Sequence, residues 1–343
     1  VNNKGFNPSW SRSATSTSEA ASVQLEFNYL SYLTGDNKYY QKARRSQDLV
    51  IQAQRKANPP LLRKFINIDG ASFTDNHVSF GSRIDSTYEY YLKVPLQLGR
   101  HKQTESIWSV YLESIATAER ELFQHTAANN RLYIAEKTGN SISDQFDHLV
   151  CFIGGALALG SLEIAKSDQE LARKHFGFGE QLTETCNSIY ESTPTGLAPE
   201  IVYFSRTDTK NDFDIHSRDK HNLLRPETVE SIFYLWRITH DQKYRRWAYN
   251  IFLAFKQYTR MDDTNIKFPN GGYGSINDVT VKSKADVTFR GDKMESFFLA
   301  ETLKYLYLLF TDDDVININE YVFNTEAHPI PRLTAEQADA LFK

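Results

Sequence analysis

The sequence predicts an all-α protein, an (α/α) toroid with short β excursions in its loops. Three observations predict it: apolar helical stretches alternate with more polar ones, a tight turn joins each pair, and the unit recurs. Tyr29-Leu30, Leu33-Thr34-Gly35-Asp36 and Lys38-Tyr39 return as Tyr234-Leu235, Ile238-Thr239-His240-Asp241 and Lys243-Tyr244, and more loosely between Tyr91-Leu92 and Gly99. A hairpin of this kind cannot bury its own apolar face and must stack on neighbours. The first helix of each pair is apolar nearly all round, so it is expected inside with its partner outside, as in a double ring. About five such hairpins are visible.

In chain order, residues 1–15 are polar and irregular. An amphipathic helix is expected from Ser16 to Leu33, with Val23, Phe27, Leu30 and Leu33 at helical spacing, ended by Thr34-Gly35-Asp36. A more polar helix follows from Asn37 to about Lys56, broken by Pro59-Pro60. Residues 64–80 suggest a short strand and loop excursion around Phe65-Ile66-Asn67-Ile68. Asp85 opens an aromatic-rich helix closed near Gly99, with its partner over Thr104–Phe123. Asn129-Asn130 and Gly139-Asn140 mark turns on either side of Tyr133-Ile134. Phe146-Asp147-His148-Leu149 starts an apolar helix to Ala165, paired with Gln169–Glu191. Pro226 suits the first turn of a helix carrying Val229, Ile232, Phe233, Leu235 and Trp236, and Gln242–Thr259 is its partner. Pro269-Asn270-Gly271-Gly272 reads as a turn, Asp292–Phe310 as a last long helix, and Phe323-Asn324-Thr325-Glu326-Ala327-His328 as a tail.

Bulk properties narrow the function classes. Thirty-nine basic against 43 acidic residues give a formal net charge of -4, so no basic field for nucleic acid exists. No signal peptide, membrane span or lipidation motif is evident, and any membrane attachment is expected through an anchor upstream of Val1. Aromatic residues make up 13%, which suits both sugar stacking and crowded helical cores. The spacing of Cys151 and Cys186 is compatible with two buried thiols or one bridge.

The chemistry-bearing pattern is acidic. Glu227 and Glu230 lie three residues apart behind Pro226, on one side of a helix start. Aligning Gly99 with Gly35 and His240 sets Glu89 opposite Glu230 and Asp85 one residue from the position of Glu227. Glu19, Asp147 and Glu295 also fall at or near starts of apolar helices, although Asp147-His148 equally suits an ordinary helix cap. In a ring of hairpins those starts share one rim, so carboxylates are expected to converge on one cavity. Glu301, inside Phe297-Phe298-Leu299-Ala300-Glu301, needs a partner or must be neutral. Paired carboxylates without a nucleophile elbow, a Gly-rich phosphate loop or zinc spacing point to glycoside hydrolysis, with a hard cation compatible.

At these residues the chain resembles the class I α-1,2-mannosidases, glycoside hydrolase family 47. The blocks are Leu224-Arg225-Pro226-Glu227-Thr228-Val229-Glu230-Ser231, Asp292 to Tyr305, and Phe323-Asn324-Thr325-Glu326-Ala327-His328-Pro329. Gly81 to Tyr90, Asp147 to Phe152 and Gly196-Leu197-Ala198-Pro199-Glu200 match in the same order. The resemblance implies a seven-hairpin toroid with Ca²⁺ at its floor. It also implies inverting removal of α-1,2-linked mannose from high-mannose N-glycans of glycoproteins, in the endoplasmic reticulum, the Golgi or outside the cell.

By position, Glu227 matches the general base and Asp85 a carboxylate implicated in acid catalysis. Thr325 matches the residue that binds Ca²⁺ through its hydroxyl and carbonyl oxygens. Arg83, Glu89, His148, Glu200, Arg225, Glu230, Phe297, Glu301 and Glu326 match cavity residues, with Phe297 the ring beneath the sugar. Cys151 and Cys186 match the family's disulfide. The family's Phe-Glu-Thr-Thr-Ile-Arg-like block, whose glutamate is a candidate general acid, is not found in residues 1–343. The chain is therefore expected to be a single catalytic domain lacking the first hairpins, and monomeric when complete. The alternative is a mannosidase-like glycan-binding factor of glycoprotein quality control with little turnover.

Overall fold

The recurring turn closes the same way at both places in the computed structural model, which describes residues 14–67, 72–261, 271–281 and 291–342. Thr34 Oγ1 donates to the Leu30 carbonyl at 2.8 Å, the Asp36 N–H to Thr34 Oγ1 at 3.3 Å, and the Lys38 N–H to Asp36 Oδ1 at 3.0 Å. Thr239, Asp241 and Lys243 repeat these bonds at 2.7, 3.1 and 2.8 Å. Between them Gly35 (φ 68) and His240 (φ 55) are left-handed, the conformation that ends a helix and that glycine adopts without cost. Gly99 has φ 80 but ψ 170, so the looser third copy ends in a different turn.

The chain divides into two compact units. Unit 1 comprises Val1–Phe123, Ile134–Ser143 and Ile318–Lys343; unit 2 comprises Gln124–Tyr133 and Asp144–Asn317. Of residues 1–15, expected to be irregular, 1–13 lie outside the described residues, as does the start of the turn at Pro269-Asn270, whereas Ala14 and Thr15 belong to a strand because they pair with Asn67 and Ile66.

Unit 1 contains α1 (Thr17–Ala20), α2 (Gln24–Thr34), α3 (Lys38–Lys56), α4 (Asp85–Leu98) and α5 (Glu105–Glu121), with α2 packed on α3 and α4 on α5. The helix expected from Ser16 to Leu33 is thus broken. The Ser46 hydroxyl donates to the Ala20 carbonyl, and the Gln24 side chain accepts the Val23 N–H, so the chain turns between α1 and α2. Every residue of α4 from Thr87 to Leu98 is buried, as expected of an inner helix. Helix α2 differs: Gln24, Leu25, Asn28 and Ser31 are its buried residues, and Leu33 is 63% exposed. Its apolar spacing therefore does not translate into enclosure. The β excursions are short antiparallel pairs: Ala14–Ser16 with Phe65–Asn67, Glu136–Thr138 with both His77–Val78 and Ser141–Ser143, and Tyr321–Phe323 with Pro329–Pro331.

Unit 2 contains α6 (Phe152–Ile164), α7 (Gln169–Ser192), α8 (Glu227–Thr239), α9 (Gln242–Tyr258) and α10 (Leu303–Leu309). Helix α8 is buried from Glu227 to Arg237. It meets α6 closely because Gly155 has no side chain: a Cβ there would stand 2.8 Å from Ser231 Cα. The helix expected from Asp292 starts only at Ser296. Upstream, the Gly291 N–H and the Lys293 carbonyl are both bonded to the Ser275 backbone, which holds that stretch extended. The same helix carries a π segment, Phe298–Thr302, before α10. Cys151 and Cys186 form a disulfide that ties the 3-10 turn His148–Cys151 to α7. No helix among the described residues is long and apolar enough to cross a membrane.

Candidate active site

In unit 2 the residues around Glu227 are assembled by three elements. Strand Gln145–Asp147 pairs with Ile201–Phe204, and the His148 N–H bonds the Glu200 carbonyl at 2.9 Å, so His148 and Glu200 emerge side by side. The chain then enters α8 through Leu224, whose φ of 65 is rare for a branched residue. Two bonds hold it there: the Leu224 N–H to Asn222 Oδ1 at 2.9 Å, and Thr302 Oγ1 to the Leu224 carbonyl at 2.7 Å. The π segment that supplies Thr302 therefore fixes the entry of Arg225 and Glu227.

Glu227 Oε2 lies 2.9 Å from His148 Nδ1, and His148 Nε2 lies 2.9 Å from the Tyr190 hydroxyl. Burial, reinforced by the Glu227 charge, holds the Tyr190 phenol far above its ordinary range, so it stays an O–H donor. A consistent assignment follows: Tyr190 donates to Nε2, and the Nδ1–H donates to the carboxylate. Glu227 Oε1 has Arg225 Nη1 at 3.9 Å, beyond hydrogen-bond length. Arg225 grips Glu200 in a fork, with Nε at 2.7 and 2.9 Å from the two oxygens, and its guanidinium lies 5.7 Å from the centroid of the Phe297 ring. Burial opposes the Arg225 cation, but Glu200 and Glu227 outweigh it and hold it firmly protonated.

Asp147 caps the 3-10 turn by accepting the Leu149 N–H at 2.9 Å, as its sequence position allows. Burial, with the Glu200 and Glu227 charges adding to it, pushes its carboxyl up to about 6. Glu230 and Glu301 are both buried, at 8% and 7% exposure. Glu301 sits in the π segment, and burial holds the Lys304 ammonium, three residues on, below its ordinary value, with the Glu301 charge opposing that shift.

In unit 1, Arg83 is left-handed (φ 72) two residues before α4, as Leu224 is three residues before α8. Its carbonyl accepts the Ser18 N–H at 2.9 Å, and its guanidinium lies over the Phe65 ring. Asp85 Oδ1 accepts from the Ser18 hydroxyl and the Ser86 N–H, each at 2.8 Å. Four and eight residues on, Glu89 and Lys93 continue the same face of α4 as a buried ion pair, 5% and 1% exposed. The Ser86 hydroxyl is 2.9 Å from Thr325 Oγ1. Glu326 is exposed beside it.

Thr325 heads the turn between Tyr321–Phe323 and Pro329–Pro331, and its carbonyl takes no hydrogen bond from the described residues. A free carbonyl and a hydroxyl are hard oxygen donors of the kind Ca²⁺ accepts, with water completing the shell. No group of three or more His, Cys, Asp or Glu that could hold a metal occurs among the described residues. Sequence reasoning left out Tyr190, Lys93 and Ser18, each of which holds a candidate residue in place.

Helical hairpins with acidic helix starts and an oriented carboxylate are the features the comparisons bear on. Residues 1–332 match Glycosyl hydrolase family 47, and the chain belongs to this family. It is 42% identical over 348 residues to a mannosyl-oligosaccharide 1,2-alpha-mannosidase of Arabidopsis thaliana, covering 93% of this chain and 53% of that relative. It is 40% identical over 328 residues to the endoplasmic reticulum mannosyl-oligosaccharide 1,2-alpha-mannosidase of Homo sapiens, covering 94% and 44%. The solved structure of an alpha-1,2-mannosidase from Trichoderma reesei superimposes with a TM-score of 0.80 at 26% identity, over 94% of this chain and 67% of that one. The fold class is thus the (α/α) toroid that the hairpin repeat predicts. The chain spans about half the length of the curated relatives it matches.

Proposed function

We propose that this chain carries the chemistry of a Ca²⁺-assisted, inverting α-1,2-mannosidase that trims high-mannose N-glycans in the lumen of the secretory pathway. The observation that carries the proposal is the state of Glu227: one oxygen is fixed by His148, while the other has no hydrogen-bonding side chain among the described residues and can take a proton from water. The printed names of the relatives supply the substrate class, and the Cys151–Cys186 bridge suits an oxidising lumen.

In this reading Glu227 is the general base, and the Arg225–Glu200 fork keeps its surroundings rigid and Phe297 in place as a platform for the sugar. Asp85 is the carboxylate of the acid step. Arg83, Glu230, Glu301 and Glu326 bind sugar hydroxyls or ordered water, Glu89 acts from its ion pair with Lys93, and His148, with both ring nitrogens engaged, orients Glu227. Thr325 holds Ca²⁺ through its two oxygens; the bound ion supplies positive charge that orients hydroxyls and water.

The test is proton NMR of the mannose first released from a high-mannose oligosaccharide. β-Mannose is expected, with release abolished by chelation. α-Mannose would contradict inversion, and tight binding without release would favour the glycan-binding factor instead.

A further inference from the structure

Helix α2 contributes a group that no catalytic or ligand role has claimed. Glu26 Oε1 accepts the Tyr90 O–H at 2.8 Å and the Asn324 Nδ2–H at 2.7 Å. Its other oxygen, Oε2, is buried and has no hydrogen-bond partner among the described residues. With no donor at Oε2, the Glu26 carboxyl group acts on its surroundings through the two donors at Oε1.

The chain of contacts from Glu26 ends at the oxygen already singled out. Asn324 Oδ1 accepts the Glu326 N–H at 3.0 Å and the His328 N–H at 2.8 Å. The Glu326 N–H belongs to the same peptide group as the Thr325 carbonyl. The Glu26 anion thus bonds the Asn324 amide nitrogen, the Asn324 amide oxygen bonds that peptide N–H, and the peptide oxygen is left open. Two amide groups in series, polarised in one sense by an anion at their far end, make the last oxygen a stronger donor to a cation. Tyr90 braces the arrangement by donating its O–H to Glu26.

We propose that Glu26 is a positioning residue for a divalent cation at Thr325, acting through the Asn324 side chain to orient and polarise the Thr325 carbonyl. The inference rests on the reading of Thr325 as a Ca²⁺ ligand. Its role is electronic as well as steric, because a turn needing only a brace would be served by a neutral side chain at position 26.

Calorimetric titration of the chain with Ca²⁺, without glycan, tests it. Glu26→Gln keeps an acceptor for Tyr90 and Asn324 but removes the charge, and should weaken Ca²⁺ binding by about 10-fold to 100-fold, the range for residues that orient a metal ligand. Tyr90→Phe leaves the Asn324 path intact and should weaken it less. Thermal unfolding in chelator reports the metal-free fold of each variant. An unchanged Kd in Glu26→Gln, or a loss of metal-free stability with no change in Kd, would overturn the inference. Thr325→Val separates the two claims: if the wild type binds Ca²⁺ and this variant binds it equally well, the ligand reading itself fails.

Discussion

Asp147 shows how burial turns one carboxyl into a pH-dependent term in stability. Its ordinary value of 3.8 is raised to about 6 in the folded chain. Between those values the folded chain holds a proton that the unfolded chain has lost, so stability falls as pH rises from about 4 to about 6, and the penalty is complete above that. Asp147→Asn keeps an acceptor for the Leu149 N–H and should flatten the fall; urea midpoints from pH 4 to 7 check it, and equal slopes in both proteins would refute it. Lys93 makes the opposite case. Lys93→Met would leave Glu89 buried without its cation, at a cost of about 3–5 kcal/mol, and adding Glu89→Gln should recover much of that in a double-mutant cycle. Tyr190→Phe leaves His148 Nε2 with Thr228 Oγ1 at 3.4 Å as its remaining neighbour and should cost about 1–3 kcal/mol by denaturant titration. None of these supports was legible in the sequence. Tyr190 lies 42 residues from His148, and Glu26 298 residues from Asn324, and no periodicity reports such contacts.

The elements show why some candidate residues could be read and others could not. Helix α8 was legible because Pro226 and an unbroken apolar period agree, and its burial from Glu227 to Arg237 follows from both. The last helix starts later than its sequence suggests because Asp292 resembles a helix start while its neighbours are bonded to Ser275, and the π segment leaves no mark in a 3.6-residue pattern. The helix Ala335–Leu341 carries a sequence signal of its own, the Thr334 and Gln337 capping box, C-terminal to the tail at Phe323–His328. Two element-scale expectations follow. Gly155→Ala forces α6 off α8, since backbone rather than a flexible side chain stands in the way, and should cost about 1–3 kcal/mol in a thermal melt. Replacing Cys151 and Cys186 by Ser opens a closure of 35 residues and should cost about 3–4 kcal/mol, loosening the turn that presents His148; protection of the Leu149–Phe152 amides from hydrogen exchange should fall first.

At the scale of the whole molecule, the repeat was the most informative feature. One hydrogen-bonded turn, built from Thr, Asp and Lys at fixed offsets, recurs 205 residues later as Thr239, Asp241 and Lys243, and the hairpins follow from it. The inner-and-outer assignment held for α4 and α8 but not for α2, because apolar spacing says which side chains could be buried and not whether a neighbour covers them. Family membership rests on a match to residues 1–332, and the proposed trimming of α-1,2-linked mannose rests on Glu227 most of all. The most direct test is the rate of mannose release from a high-mannose oligosaccharide by Glu227→Gln against the wild type, with circular dichroism confirming an unchanged fold. The account predicts a loss of turnover of about 10²-fold or more. Release within a few-fold of the wild-type rate would contradict it.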